Sequence, residues 1–117
     1  VEAIPLETLR AGMDVNWSST AEMFDRVDGH VVPNIAFGTG HSALRTLVMG
    51  QRAHTEKATP EDIEKMQALL RESLEAGSVS FTSSHADTNR DHRGDPVPSL
   101  VADREELLAL ASQVKDY

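Results

Sequence analysis

Between Ile63 and Leu74 the apolar side chains fall at Ile63, Met66, Leu70 and Leu74, three and four residues apart, the spacing that lines one face of an α-helix. Thr59-Pro60-Glu61-Asp62 writes its start. A hydroxyl is present to accept a free backbone N–H, proline occupies the first helical position, where no N–H is needed, and acids stand beside the positive end of the helix dipole. Glu61 lies one turn before Lys65, and Gly77 supplies a left-handed stop, so the pattern predicts a helix over about 60–76. A second helix is predicted over about 104–115. Asp103 caps it, Glu106 comes three residues on as in a capping box, and Leu107, Leu110, Ala111 and Val114 form its apolar stripe. Ser19 and Glu22 give a third, shorter start before Met23, Phe24 and Val27, closed by Gly29.

Two brief apolar stretches, about 31–37 and 78–82, do not alternate with polar residues, the look of strands buried on both faces. Pro33 places the first near a strand start or an edge. From Val31 onward the order reads strand, loop, helix, strand, loop, helix, which is the parallel crossover pattern. The predicted class is therefore α/β, two consecutive parallel strand-helix units. Such a pair leaves sheet edges and faces uncovered. Residues 1–117 are thus expected to be one partial segment of a larger (β/α)8 barrel of the TIM type, or to complete their sheet with another copy as a homo-oligomer. Val1 to Ile4 reads as the middle of an element, which points to a truncated start.

Charge narrows the partners. Eleven Lys and Arg against 19 Asp and Glu give a net charge of −8, which repels a nucleic-acid backbone or an anionic membrane surface. No apolar run approaches the roughly 18 residues of a membrane span. The absence of cysteine removes disulfides, thiolate metal sites and a cysteine nucleophile, and fits a cytoplasmic setting.

Candidate chemistry gathers where a strand hands over to the next loop. The first such loop is Gly38-Thr39-Gly40-His41-Ser42-Ala43-Leu44-Arg45, in which His41 is expected at the rim of a site. Gly38-x-Gly40 lacks the third glycine or the lysine of a phosphate loop. The plainer reading is a structural turn, with His41 and Arg45 hydrogen-bonded to backbone. The second loop, about 82–98, carries His85, Asp87, Asp91, His92 and Asp95. Imidazole and carboxylate suit zinc or manganese, yet the spacing matches no helix face, and no metal ligand is assigned here. Ser83 and Ser84 beside His85 come without a nucleophile elbow, and neighbours on an extended chain point apart, so no catalytic residue is assigned either. Asn16-Trp17-Ser18 and Arg93-Gly94-Asp95 are tripeptides too short to carry meaning.

Beyond periodicity, an ordered series of short motifs resembles one family. Gly40-His41-Ser42-Ala43-Leu44-Arg45, Val48-Met49-Gly50, Ala58-Thr59-Pro60-Glu61 and Leu74-Glu75-Ala76-Gly77 look like the middle of the N-acyl-D-amino-acid deacylase (D-aminoacylase) branch of the amidohydrolase superfamily. Phe81-Thr82-Ser83-Ser84, Gly94-Asp95-Pro96-Val97-Pro98-Ser99 and Glu105-Glu106-Leu107 continue the likeness, and Val1-Glu2, Ile4-Pro5, Gly12-Met13 and Trp17 extend it backwards. Thr88-Asn89, where the family often shows Thr-His, Thr39, and the run from Asn89 to Arg93 depart from its pattern.

The resemblance implies a segment of a metal-dependent hydrolase acting on non-peptide carbon–nitrogen bonds of small N-acyl amino acid or amide substrates. Zinc or a similar divalent metal would activate water in the complete enzyme. The metal ligands and a proton-shuttling aspartate are expected outside this stretch, which leaves the isolated segment inactive. Substrate-side roles are expected for His41, Ser42, Arg45, Ser84 and His85. The rival expectation is a non-catalytic, self-associating α/β binding module derived from such an enzyme.

Overall fold

The computed structural model describes residues 5–117, so the reading of Val1 to Ile4 lies outside the described residues. Its elements are α1 (Leu6–Gly12), α2 (Thr20–Val27), β1 (Gly38–Gly40), α3 (His41–Met49), α4 (Pro60–Glu75), β2 (Ser80–Thr82) and α5 (Arg104–Ala111). Short 3-10 turns cover Gly50–His54, Pro98–Leu100 and Ser112–Asp116. The chain is a mixed α/β unit whose two strands run parallel, in the register Gly38 to Ser80, Thr39 to Phe81 and Gly40 to Thr82. The Val79 N–H donates to the Phe37 carbonyl at 2.9 Å, which carries the pairing one residue further back.

The helix starts form as their residues dictate. The Thr59 hydroxyl accepts from the Asp62 N–H at 3.2 Å, and the Thr59 N–H donates back to Asp62 Oδ2 at 3.1 Å, closing a complete capping box on α4. Arg52 then clamps the same carboxylate through Nη2 at 3.1 and 3.2 Å. Gly77, with φ of 114°, takes the left-handed conformation in which a side chain would strain the backbone. Ser19 caps α2 as expected, and the Glu22 carboxylate reaches back to Ser18, accepting from its N–H at 2.7 Å and its hydroxyl at 2.9 Å.

Three expectations are corrected. The first strand occupies Gly38–Gly40, and residues 31–36 carry no regular structure, with Val32 fully exposed. Close approach decides the place: a Cβ at Gly38 would lie 2.5 Å from Ser80 Oγ, so glycine permits the pairing that bulkier neighbours would obstruct. The presumed loop at 41–45 is instead the first half of α3, which springs directly from β1. Gly40 caps it without a side chain, so the usual start signal is missing. The last helix ends at Ala111 and tightens into a 3-10 turn rather than continuing as α-helix to 115. Helix α1 was not anticipated; it holds no buried residue.

Leu44 from α3, Met66, Leu70 and Leu74 from α4, and Leu110 from α5 make the core, with Val48, Ile63, Leu69, Phe81 and Val114 packed against it. The three helices thus close over the Phe81 side of β2. Val79 just before β2 leaves 66% of its surface exposed and Ile35 leaves 45%. Among the described residues no helix is long and apolar enough to cross a membrane.

Candidate functional site

The ends of β1 and β2 point the same way, so the residues just beyond each strand arrive at one place. After β1 comes His41, the first residue of α3, with 1% of its surface exposed. Its Nε2 lies 2.8 Å from Glu106 Oε1 and its Nδ1 lies 2.9 Å from Ser83 Oγ, one residue past β2. Phe81 packs against the imidazole, with ring centroids 5.4 Å apart. One turn along α3, the fully buried Arg45 donates Nη1 to the other Glu106 oxygen and Nη2 to the carbonyls of Ala53 at 3.1 Å and Glu56 at 2.6 Å.

Glu106 is the pivot. The Asp103 carboxylate caps α5 by accepting from the Glu106 N–H at 3.0 Å, as the sequence pattern requires. The return arm of that expected box is missing, because the Glu106 side chain turns inward to Arg45 and His41 instead. Burial pushes the Glu106 carboxyl upward, but hydrogen bonds from His41 and Arg45, joined by the charge of Arg45, outweigh it and hold the group below its ordinary value. An ionised carboxylate only accepts, so the Nε2 of His41 must carry the proton between them. In the neutral ring Nδ1 is then an acceptor and Ser83 donates to it. The Ser83 oxygen also lies 3.3 Å from His85 Nε2.

A second set of hydroxyls runs alongside. Ser42 Oγ donates to Ser99 Oγ at 3.1 Å and accepts from the Ser99 N–H at 3.1 Å, while Ser99 Oγ donates to the Ser84 carbonyl at 2.8 Å. Asn89 donates its amide to Ser84 Oγ. Among the described residues no buried side-chain nitrogen or oxygen lacks a partner.

All five residues expected on the substrate side therefore fall into these two networks. Arg45, His41 and His85 are linked through Glu106 and Ser83, and Ser42 and Ser84 through Ser99. Their exposure differs from expectation. His41 and Arg45 are buried rather than standing at a rim, and His41 bonds to side chains rather than to backbone, whereas His85 is exposed and Ser84 partly so. Glu106, Ser99 and the pairing of Ser83 with His41 were missed, since 42 and 65 residues separate His41 from its two partners and no local spacing signals such contacts.

The polar loop folds on itself instead of converging. Asp91 Oδ1 accepts from the N–H groups of Arg93 at 2.8 Å and Asp95 at 3.0 Å, and Arg90 bridges to Pro96. Burial raises the Asp91 carboxyl, but these two backbone bonds together with the neighbouring charge of Arg93 leave it lowered. Among the described residues no three His, Asp or Glu side chains come together as a metal cradle.

The fold and site define a parallel α/β segment with a polar cluster at the carboxyl ends of its strands. Over 92 residues, 74% of the chain, it is 38% identical to an uncharacterized protein of Mycobacterium bovis and to uncharacterized proteins of two Mycobacterium tuberculosis strains. The matched stretch spans 15% of the length of each of these relatives. No protein-family profile matches the chain. No solved structure matches it.

Proposed function

We propose that this chain is one segment of a metal-dependent amidohydrolase of the N-acyl-D-amino-acid deacylase type, a part of its (β/α)8 barrel. The observation that carries the reading is the parallel pairing of β1 with β2 across a helical crossover, with every expected substrate-side residue gathered beyond their carboxyl ends. Exposed apolar residues at Val31, Val32, Ile35 and Val79 suit neighbouring strands and helices from the rest of a longer protein, and the relatives are several times longer than this chain. The motif series around His41, Thr59 and Ser83 supplies the choice of family.

In such an enzyme the metal lowers the pKa of its bound water and polarises the amide carbonyl. Among the described residues no three His, Asp or Glu side chains meet as a cradle for that ion; the family resemblance is what puts its ligands elsewhere in the parent protein, and no step is routed through this segment. What these residues do is build and shape the wall. The His41–Glu106–Arg45 group locks α3 to α5, and Ser83, Ser84 and His85, just beyond β2, are the residues that would face a substrate amide.

The parent protein carrying this segment should release free D-amino acids from N-acyl-D-amino acids when supplied with zinc, and lose that activity on chelation. Ser84→Ala and His85→Ala should raise KM there. A zinc-loaded parent inert toward N-acyl amino acids and related amides overturns the reading. The same open strand edges favour the rival, a self-associating binding module, which predicts a stable dimer of the isolated segment in sedimentation.

A further inference from the structure

Ser83, His41 and Glu106 stand in the order nucleophile, base and orienting carboxylate. The hydroxyl lies 2.9 Å from one imidazole nitrogen and the carboxylate 2.8 Å from the other, the distances such a relay needs. The ring is enclosed, with 1% of its surface exposed, while Ser83 is exposed and accessible. The ring is used in the reverse sense to the serine hydrolase template, with the hydroxyl on Nδ1 and the carboxylate on Nε2. Proton transfer requires a lone pair on the nitrogen facing the serine, and in the neutral ring Glu106 selects the tautomer that has it, by accepting the proton of Nε2.

We propose that Ser83 is a reactive serine, with His41 Nδ1 as its base and Glu106 and Arg45 as positioning residues, able to take up activated acyl or phosphonyl groups. In this step the Ser83 Oγ bonds to the carbonyl carbon of an activated ester while its proton passes to His41 Nδ1. The ester C–O bond then breaks, the leaving alkoxide takes that proton, and water releases the acyl group by the reverse route. Activated esters are the class because Glu106 shares its charge with Arg45, which leaves less of it to strengthen the imidazole as a base than a carboxylate serving the ring alone. The inference does not rest on the amidohydrolase reading, since it needs neither metal nor the rest of a barrel.

The test is labelling of the 117-residue chain with an alkyl phosphonofluoridate, in which the Oγ–P bond forms as P–F breaks and fluoride leaves. One adduct should appear by intact mass and map to Ser83, and Ser83→Ala should abolish it. The labelling rate should fall at least about 100-fold in a synthetic peptide of residues 78–90, which keeps Ser83, Ser84 and His85 but lacks His41. That comparison requires no variant to fold. An unlabelled chain, an adduct on another residue, or equal rates in chain and peptide overturns the proposal.

Discussion

His41 and Glu106, 65 residues apart in the chain, meet at 2.8 Å with both side chains about 1% exposed. This contact joins the first residue of α3 to the first turn of α5 beneath the end of β2. Arg45 completes the charge balance from the opposite side of the carboxylate. The three groups enclose no unpartnered atom, and that satisfaction is what makes their burial tolerable.

Removing one partner should therefore cost far more than removing the pair. Glu106→Gln leaves Arg45 charged and buried, and is expected to lower unfolding free energy by about 3–5 kcal/mol in urea titrations. Arg45→Met combined with Glu106→Leu should cost clearly less than the sum of the single changes. Additive losses would show that the pair is not energetically linked.

The cap on α4 is testable on its own. Thr59→Ala deletes the hydroxyl that receives the Asp62 N–H and should destabilise by about 1 kcal/mol. Asp62→Ala should cost more, because it removes the return arm of the box and strips Arg52 of its buried partner. Equal effects from the two changes in thermal melts would mean that the Arg52 contact contributes nothing.

Acid should unfold the chain through named carboxylates. Glu106, Asp62, Asp91 and Asp103 all have lowered values in the folded chain, so the unfolded chain binds protons more readily than the folded one. Their stabilisation is complete above the ordinary carboxylate range of about 4 and is lost as pH falls through the lower folded values. Stability measured from pH 7 downward should hold until that range and then decline. Glu106→Gln should start lower and decline less steeply.

Core and turn substitutions separate packing from backbone effects. Leu70 is fully buried in α4, and Leu70→Ala should cost about 2–5 kcal/mol. Gly77→Ala forces a side chain into a left-handed backbone at φ 114° and should cost about 1 kcal/mol or more, though its Cβ would meet Phe24 only at an ordinary 3.7 Å. A neutral Gly77→Ala in denaturant unfolding would contradict the backbone account.

What the sequence determined by itself were features that act within one or two turns of chain. Thr59, Asp62 and Gly77 bound α4, Asp103 starts α5 and Ser19 starts α2, since caps and apolar stripes are local chemistry. The parallel pairing of two short strands was also legible from the alternation of strand and helix, although β1 was placed several residues too early. Tertiary structure decided the rest. Gly38–Gly40 becomes a strand because bare glycine backbone can approach Ser80 closely, a fact about its neighbour rather than about itself. Glu106 looked like the second arm of a capping box, and the buried charge of Arg45 draws it inward instead. The pairing of Ser83 with His41 has no local signature at all, because it exists only where two parallel strands end side by side.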